Sequence, residues 1–136
     1  MQGLTIWCAI TLASFAGAAG AYHSYLLTNP LRIALVLDSS YEMRADFAAA
    51  KRLAVELNKG DRYALFGLFS EKSRVHGYAD KLNLDRLKSY SPRRFDSLQS
   101  GPLRTQLDNA DGVVLITNAD ASETKNLPSN WQILNP

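Results

Sequence analysis

The fold is decided by the stretch Leu31–Met43, which reads LRIALVLDSSYEM. Its first half contains a nearly continuous apolar run, Arg32–Leu37, which is typical of a central parallel strand covered on both faces. The run ends in Asp38, two serines and Glu42, and the residues after them have the apolar spacing of an amphipathic helix. Because ligands of open α/β sheets bind beyond the carboxyl ends of the strands, this polar cluster is the first candidate for a functional site.

The segment before this strand is apolar enough to cross a membrane. No charged residue occurs from Leu4 to Leu27, and at a rise of about 1.5 Å per residue such a helix spans a hydrocarbon core of about 30 Å. Trp7 lies near one end and Tyr22 near the other, as in the aromatic belts of the two membrane interfaces. We therefore predict a single-pass membrane protein.

A cleaved signal peptide is the competing interpretation, because Ala19–Ala21 resembles a small-residue cleavage site. Secretory signals normally begin with lysine or arginine, and neither precedes the apolar run. We therefore expect residues 1–29 to form a retained transmembrane helix with a short linker. Residues 30–136 are expected to form a separate α/β domain.

Small residues recur along one face of the predicted span, at Ala9, Ala13, Gly17 and Ala21. Such spacing lets a second helix approach closely, and close packing is a main source of helix association in lipid. The pattern predicts contacts with other membrane protein subunits. His23 follows at the membrane edge, where it either ligates a haem or chlorophyll or serves as an interfacial anchor.

The charges next to the span suggest its orientation. Arg32 and Arg44 both lie on its C-terminal side, which favours a cytoplasmic α/β domain in a bacterial inner membrane. The single cysteine, Cys8, falls inside the apolar segment. An internal disulfide is therefore excluded.

The charge pattern argues against nucleic acid as a partner. The net charge is only +2, and the sharpest basic cluster comprises Arg86, Lys88, Arg93 and Arg94. No aromatic stacking pattern of the RNA-binding kind accompanies this cluster. We interpret it as a solvated face of the domain.

After the first strand, apolar runs alternate with helical patterns. The expected elements are a helix over 45–58, strands over 63–69 and 74–78, a helix capped by Asp80 that carries Leu84 and Leu87, a polar stretch over 89–100, a helix begun by Pro102, a strand over 113–117, a loop over 120–128 and a last strand over 131–134. Strands alternating with helices predict an α/β fold with a mainly parallel sheet, arranged as a small three-layer Rossmann-like domain.

Three motifs in this order resemble the von Willebrand factor A (vWA) domain: Asp38-x-Ser40-x-Glu42, Gly60-Asp61-Arg62, and Ile116-Thr117 at the end of a later strand. The resemblance covers about residues 31–120 and implies a truncated vWA-like domain. In that family an aspartate, two serines, a loop threonine and a final aspartate form a metal-ion-dependent adhesion site. The ion at that site binds a carboxylate of the partner protein.

This chain departs from the family pattern at the metal site. Glu42 replaces the second serine, Asn118 stands in place of the final aspartate, and rough alignment puts Asp96 or Ser97 near the missing threonine. A glutamate ligand would neutralise the ion and weaken its pull on a partner carboxylate. The resemblance therefore implies a degenerate site with no obligatory metal, where Asp38 hydrogen-bonds the turn. The alternative is a Mg²⁺ or Ca²⁺ site formed by Asp38, Ser40 and Glu42.

Catalytic motifs are weak. Asp38 follows the first strand, as in hydrolases of the haloacid dehalogenase kind, but their second aspartate is replaced by Ser40. His76 has no serine or cysteine placed for a triad, and no glycine-rich loop follows a strand. We expect a non-catalytic accessory or assembly subunit of a larger membrane complex, without a cofactor. The alternatives are a metal-dependent binding module and a membrane-tethered hydrolase that uses Asp38.

Overall fold

The computed structural model describes residues 2–85 and 87–136. The chain divides after Pro30 into two units, an N-terminal helix and an α/β domain. Helix α1 covers Gln2–Thr28 and contains one stretch, Gly3–Thr28, that is long and apolar enough to span a membrane. Within the described residues it is the one helix with that length and composition.

The described residues of the α/β domain form a five-stranded sheet. Its strands are β1 (Leu31–Leu37), β2 (Ala64–Ser70), β3 (Arg74–Ala79), β4 (Gly112–Ile116) and β5 (Gln132–Leu134). Their order is β3-β2-β1-β4-β5; β1 pairs in parallel with β2 and β4, β4 pairs in parallel with β5, and β3 is antiparallel to β2. The predicted α/β class and mainly parallel sheet are confirmed, and every predicted strand is present to within one residue at each end.

Among the residues that the structure describes, four helices and one 3₁₀ turn connect the strands. They are the turn Tyr41–Met43, α2 (Phe47–Gly60), α3 (Asp96–Gln99), α4 (Gly101–Asp108) and α5 (Ala121–Thr124). Gly101 has a φ of 80°, a conformation that glycine adopts without steric cost. This residue lets α4 begin directly after α3 and Ser100.

Alternate residues of β1 pack on opposite faces of the sheet, as the pleat of a strand requires. Ala34 and Val36 belong to a buried cluster with residues of α3 and α4, including Leu98 and Leu107. The second cluster, on the other face, includes Leu35, Leu37, Met43, Ala50, Ala54, Leu84 and Leu87. The continuous apolar run of β1 is thus explained, because both of its faces are covered.

The helix predicted after Asp80 is wrong: none of the described residues in 80–85 and 87–92 is helical. Asn58 at the end of α2 explains the difference. Its side chain donates to the Asp80 carbonyl over 2.8 Å and accepts from the Leu82 amide over 3.0 Å. The Asp80 carbonyl, which would accept the first bond of a helix capped there, is thus paired with Asn58 instead.

Two short helices were not predicted. Helix α3 lies within the expected polar stretch, and α5 lies within the expected loop over 120–128. Asp120 and Glu123 form a capping box around the first turn of α5, and such a box satisfies amide donors that a short helix leaves free.

The sheet register places three polar residues side by side at its carboxyl edge. Leu37 pairs with Ser70 on one side and with Ile116 on the other. The next residues, Asp38, Glu71 and Thr117, therefore follow three adjacent parallel strands. All three are fully buried.

Candidate functional site

A segment that we call the strap, residues 89–93, crosses the carboxyl edge of the sheet. Three hydrogen bonds tie it to the turn after β1: Tyr90 N donates to Ser39 O (3.1 Å), Tyr41 N donates to Ser91 O (2.7 Å), and Ser89 Oγ donates to Ser40 O (2.6 Å). The strap thus covers the polar cluster that the sequence marks as the candidate site.

Asp38 lies beneath the strap with both carboxylate oxygens engaged. Oδ1 accepts from the Ser40 amide over 3.0 Å, and Oδ2 accepts from the Thr117 hydroxyl over 2.6 Å. Oδ2 also accepts from Nε of Arg93 over 2.9 Å. Three donors from three chain segments therefore converge on one fully buried carboxylate.

Arg93 distributes its remaining N–H donors over the rim of the site. Nη1 donates to both carboxylate oxygens of Glu123 over 3.0 and 3.2 Å, and Nη2 donates to Oδ1 of Asn118. The Arg93 side chain is 9 % exposed, whereas that of Glu123 is 43 % exposed. Burial disfavours the charged form of Arg93, but the attraction of Asp38 and the hydrogen bond to Glu123 outweigh it and raise the pKa of the guanidinium.

Asn118 joins this site to the turn after β1. Its amide nitrogen donates to the Glu42 carbonyl over 3.0 Å and to the Asp46 carboxylate over 2.8 Å, while its amide oxygen accepts from Arg93. An amide can both donate and accept, which a carboxylate at this position cannot do. Asn118 therefore suits a position between a guanidinium donor on one side and a carbonyl and a carboxylate on the other.

A second buried carboxylate, Glu71, lies beside Asp38 at the end of β2. Its Oε2 accepts from the amide and the hydroxyl of Ser39, each over 2.8 Å. Lys72 Nζ lies 3.5 Å from Oε1, an ion pair without a hydrogen bond, and donates to the Ser91 hydroxyl of the strap. Within the described chain, Oε1 has no hydrogen-bond partner.

These residues do not fit the metal that the vWA resemblance implies. A divalent ion needs several oxygen ligands directed at one point, and the guanidinium of Arg93 already contacts the Asp38 oxygen that faces the strap. Ser40 is fully buried and its hydroxyl has no partner among the described residues, but Glu42 is exposed. The described part of the chain also holds no group of three or more His, Cys, Asp or Glu side chains placed to share an ion.

The structure therefore separates the candidate metal ligands. Asp38 and Ser40 are buried together, Glu42 lies outside on the 3₁₀ turn, and Asp96 and Ser97 belong to α3. The hydroxyl that contacts Asp38 instead belongs to Thr117.

Three residues of the site were missed by sequence reasoning: Arg93, Thr117 and Glu71. The interpretation of the basic cluster as a solvated face is wrong for Arg93, because the buried carboxylate of Asp38 holds its guanidinium inside; Lys88 and Arg94 are exposed. Arg86 lies outside the described residues. The sequence could have indicated Thr117 as a site residue, since it directly follows an apolar strand. Glu71 lies in a polar turn, and nothing in that pattern marks it as a site residue.

The remaining candidate residues lie elsewhere. Ala9, Ala13, Gly17 and Ala21 are exposed on α1, and a side chain built on Gly17 would meet no atom within 4 Å. His76 is exposed on β3, and its Nδ1 lies 2.8 Å from the carbonyl oxygen of Gly77.

No family model matches the chain, no curated protein matches it, and no solved structure matches it. Its function therefore has to be inferred from the site itself.

Proposed function

We propose that this protein is a non-catalytic accessory or assembly subunit of a larger membrane complex, acting through protein–protein contacts. One observation supports this proposal above all others. Asp38, the residue best placed for chemistry, is fully buried and accepts hydrogen bonds from Ser40, Thr117 and Arg93. A carboxylate enclosed in this way serves to hold chain segments together.

The same observation disfavours the two alternatives. A hydrolase that used Asp38 as its nucleophile would need substrate within about 3.5 Å of a carboxylate oxygen, where the strap and Arg93 now lie. A Mg²⁺- or Ca²⁺-dependent module would need the Asp38 oxygen that the Arg93 guanidinium already contacts. The accessory role requires neither substrate access to Asp38 nor a bound divalent ion.

Exposed aromatic residues next to the closed site suit a contact surface. Tyr41 and Tyr90 are each 57 % exposed, and both lie where the strap meets the turn after β1. Lys72 Nζ lies 5.4 Å from the centre of the Tyr90 ring. Tyrosine is enriched in protein interfaces, where its ring supplies contact area at a low entropic cost.

For the N-terminal unit we propose insertion as a single membrane span, with the face formed by Ala9, Ala13, Gly17 and Ala21 packed on a partner helix. For the α/β unit we propose the three-layer Rossmann-like arrangement of a vWA-like domain. The two buried clusters on opposite sheet faces support it. We also propose that the α/β unit lies on the cytoplasmic side, which the basic residues after the span favour.

Gly17→Leu tests the proposed helix contact. The full chain carrying this change is purified from its native membrane in mild detergent, and the membrane subunits that accompany it are quantified. Because a leucine on the small-residue face blocks close approach, we expect recovery of these subunits to fall by roughly tenfold, a loss of about 1.4 kcal/mol in association free energy.

Ala19→Leu is the matched control, since residue 19 lies about 200° around the helix from residue 17. It adds the same side chain to the same span and leaves recovery unchanged if the contact is specific. Equal losses in both variants, or a wild-type chain that purifies as a monomer, would contradict the proposal.

A further inference from the structure

We propose that Arg93 is a built-in cation that takes the place of a divalent ion at the carboxyl edge, and that the site accepts such an ion only when this guanidinium is removed. The inference goes beyond the proposed function, because it concerns the α/β domain whether or not a membrane partner exists. It starts from the misfit between the residues of the site and the metal that the family resemblance implies.

The first step is the need for a positive charge. Asp38 is fully buried at the end of β1, and a buried carboxylate is costly unless a cation or several donors compensate it. Arg93 supplies the cation at 2.9 Å, and the Ser40 amide and Thr117 hydroxyl supply further donors. The site is therefore electrostatically complete with the chain's own groups.

The second step is how the guanidinium divides its contacts. It reaches Asp38 after β1, Asn118 after β4, and Glu123 on α5. A coordinated metal ion performs the same task when it collects ligands from separate loops. The planar guanidinium has five N–H donors, so it can connect separate loops by hydrogen bonds. Unlike a metal ion, it does not need several oxygen ligands directed at one point.

The third step concerns the oxygens that the guanidinium leaves unused. The Ser40 hydroxyl is buried without a partner in the described residues, and the Ser40 amide already bonds Asp38. Without Arg93, the carboxylates of Asp38 and Glu123 would lose their common cation, and the Thr117 hydroxyl would remain beside Asp38. These are hard oxygen donors of the kind that Mg²⁺ and Ca²⁺ bind.

The last step is the tether. Arg93 belongs to the strap, so the charge that neutralises Asp38 also holds the cover of the site in place. A free ion exchanges with solvent, whereas this cation remains attached to the chain. The wild-type domain is therefore expected to be insensitive to divalent ions.

Arg93→Ala in the full chain, purified in mild detergent, tests the proposal. Thermal unfolding is followed with and without millimolar MgCl₂ or CaCl₂, and Mn²⁺ binding is followed by electron paramagnetic resonance. We expect a melting temperature lower by roughly 10 °C or more in the absence of divalent ions. Saturating Mg²⁺ or Ca²⁺ should then raise it by at least about 5 °C, and Mn²⁺ should bind.

Three matched measurements make the result specific. Arg94→Ala removes an exposed neighbouring arginine and should leave both the melting temperature and the lack of ion response unchanged. Arg93→Ala combined with Asp38→Asn should lose the recovery by ions. Methylguanidinium, which replaces the missing group, should raise the melting temperature of Arg93→Ala but not of Arg94→Ala.

Binding of Mn²⁺ to the wild-type chain, abolished by Asp38→Asn, would overturn the proposal. The proposal would also be overturned if Arg93→Ala folds, its melting temperature does not rise with Mg²⁺ or Ca²⁺, and it does not bind Mn²⁺. If Arg93→Ala does not fold, Arg93→Lys decides: its point charge still faces Asp38 and should exclude Mn²⁺, and Mn²⁺ binding by this variant would also overturn the proposal. Failure here leaves the test with Gly17→Leu unaffected.

Discussion

Asp38 and Glu71 are two fully buried carboxylates at the ends of neighbouring parallel strands, yet the chain compensates them differently. Asp38 receives donors from three segments, one of them the guanidinium of Arg93, whose side chain is 9 % exposed. Glu71 receives both of its hydrogen bonds from Ser39, and its cationic partner Lys72 has a side chain that is 30 % exposed.

The difference indicates which of the two carboxylates holds the chain segments of the site together. Removing Asp38 leaves a buried guanidinium without its main partner, whereas removing the charge of Glu71 leaves a lysine that still reaches water. Breaking a buried ion pair destabilises the folded chain strongly for this reason, whereas an ion pair with a solvated partner contributes little to its stability. Asp38 with Arg93 therefore joins the strap, β1 and β4, and Glu71 has a local role.

The largest expected effect is that of Asp38→Asn. The asparagine amide cannot neutralise Arg93. Its nitrogen would also replace one of the two Asp38 oxygens, and both of these now accept hydrogen bonds. We expect the free energy of unfolding to fall by about 3–5 kcal/mol. Urea unfolding of the full chain in detergent measures this, followed by the fluorescence of the buried Trp131 in a Trp7→Phe background.

Asp108→Asn is the control for that variant. Asp108 pairs with Arg104 one helical turn away, with side chains 52 % and 30 % exposed, and its loss should change the free energy of unfolding by no more than about 0.5 kcal/mol. Similar effects of Asp38→Asn and Asp108→Asn would mean that the enclosed ion pair is not important for stability.

Glu71→Gln is expected to have a smaller effect, a loss of about 1 kcal/mol in the free energy of unfolding. The amide oxygen of glutamine can still accept both hydrogen bonds from Ser39, and Lys72 keeps its access to water. The same urea measurement compares it directly with Asp38→Asn. If Glu71→Gln proved as damaging as Asp38→Asn, the contrast between the two carboxylates would be refuted.

The smallest effect is expected at Asp120, an exposed carboxylate whose hydrogen bonds come from the first turn of α5. Hydrogen bonds from the Ser122 hydroxyl and from the amides of Glu123 and Ser122 lower the pKa of Asp120 below its ordinary value of 3.8. A lowered pKa in the folded chain means that the capping contribution is complete above pH 3.8 and is lost as the pH falls through the folded value. Titration of the Ser122 amide by nuclear magnetic resonance should therefore show a midpoint below 3.8.

Ser122→Ala sharpens this test, because the hydroxyl contact of 2.6 Å is the first cause of the lowered pKa. The midpoint at Asp120 should move back towards 3.8 while the amide bonds persist. A midpoint that does not move would contradict the leading role of the Ser122 hydroxyl in lowering the pKa.

The sequence predicted the sheet well and the site only in part. Alternation of apolar runs and turns located every strand, and the abrupt end of β1 located Asp38 as the centre of the polar cluster. The helix expected after Asp80 failed because Asn58, 22 residues earlier, bonds the backbone there. Glu71 could not be found, because a polar turn after a strand has the same pattern whether its glutamate is exposed or buried.

By itself the sequence determined the uncharged N-terminal segment, the strand order along the chain, and the place where polar residues follow β1. These properties depend on neighbouring residues and on the periodicity of apolar side chains, so they can be read locally. Only the tertiary structure decided which cation faces Asp38. Arg93 is 55 residues away and Thr117 is 79 residues away along the chain; the strap brings Arg93 to Asp38, and the pairing of β1 with β4 brings Thr117 there. Electrostatic pairing depends on distance in space, which local sequence does not encode.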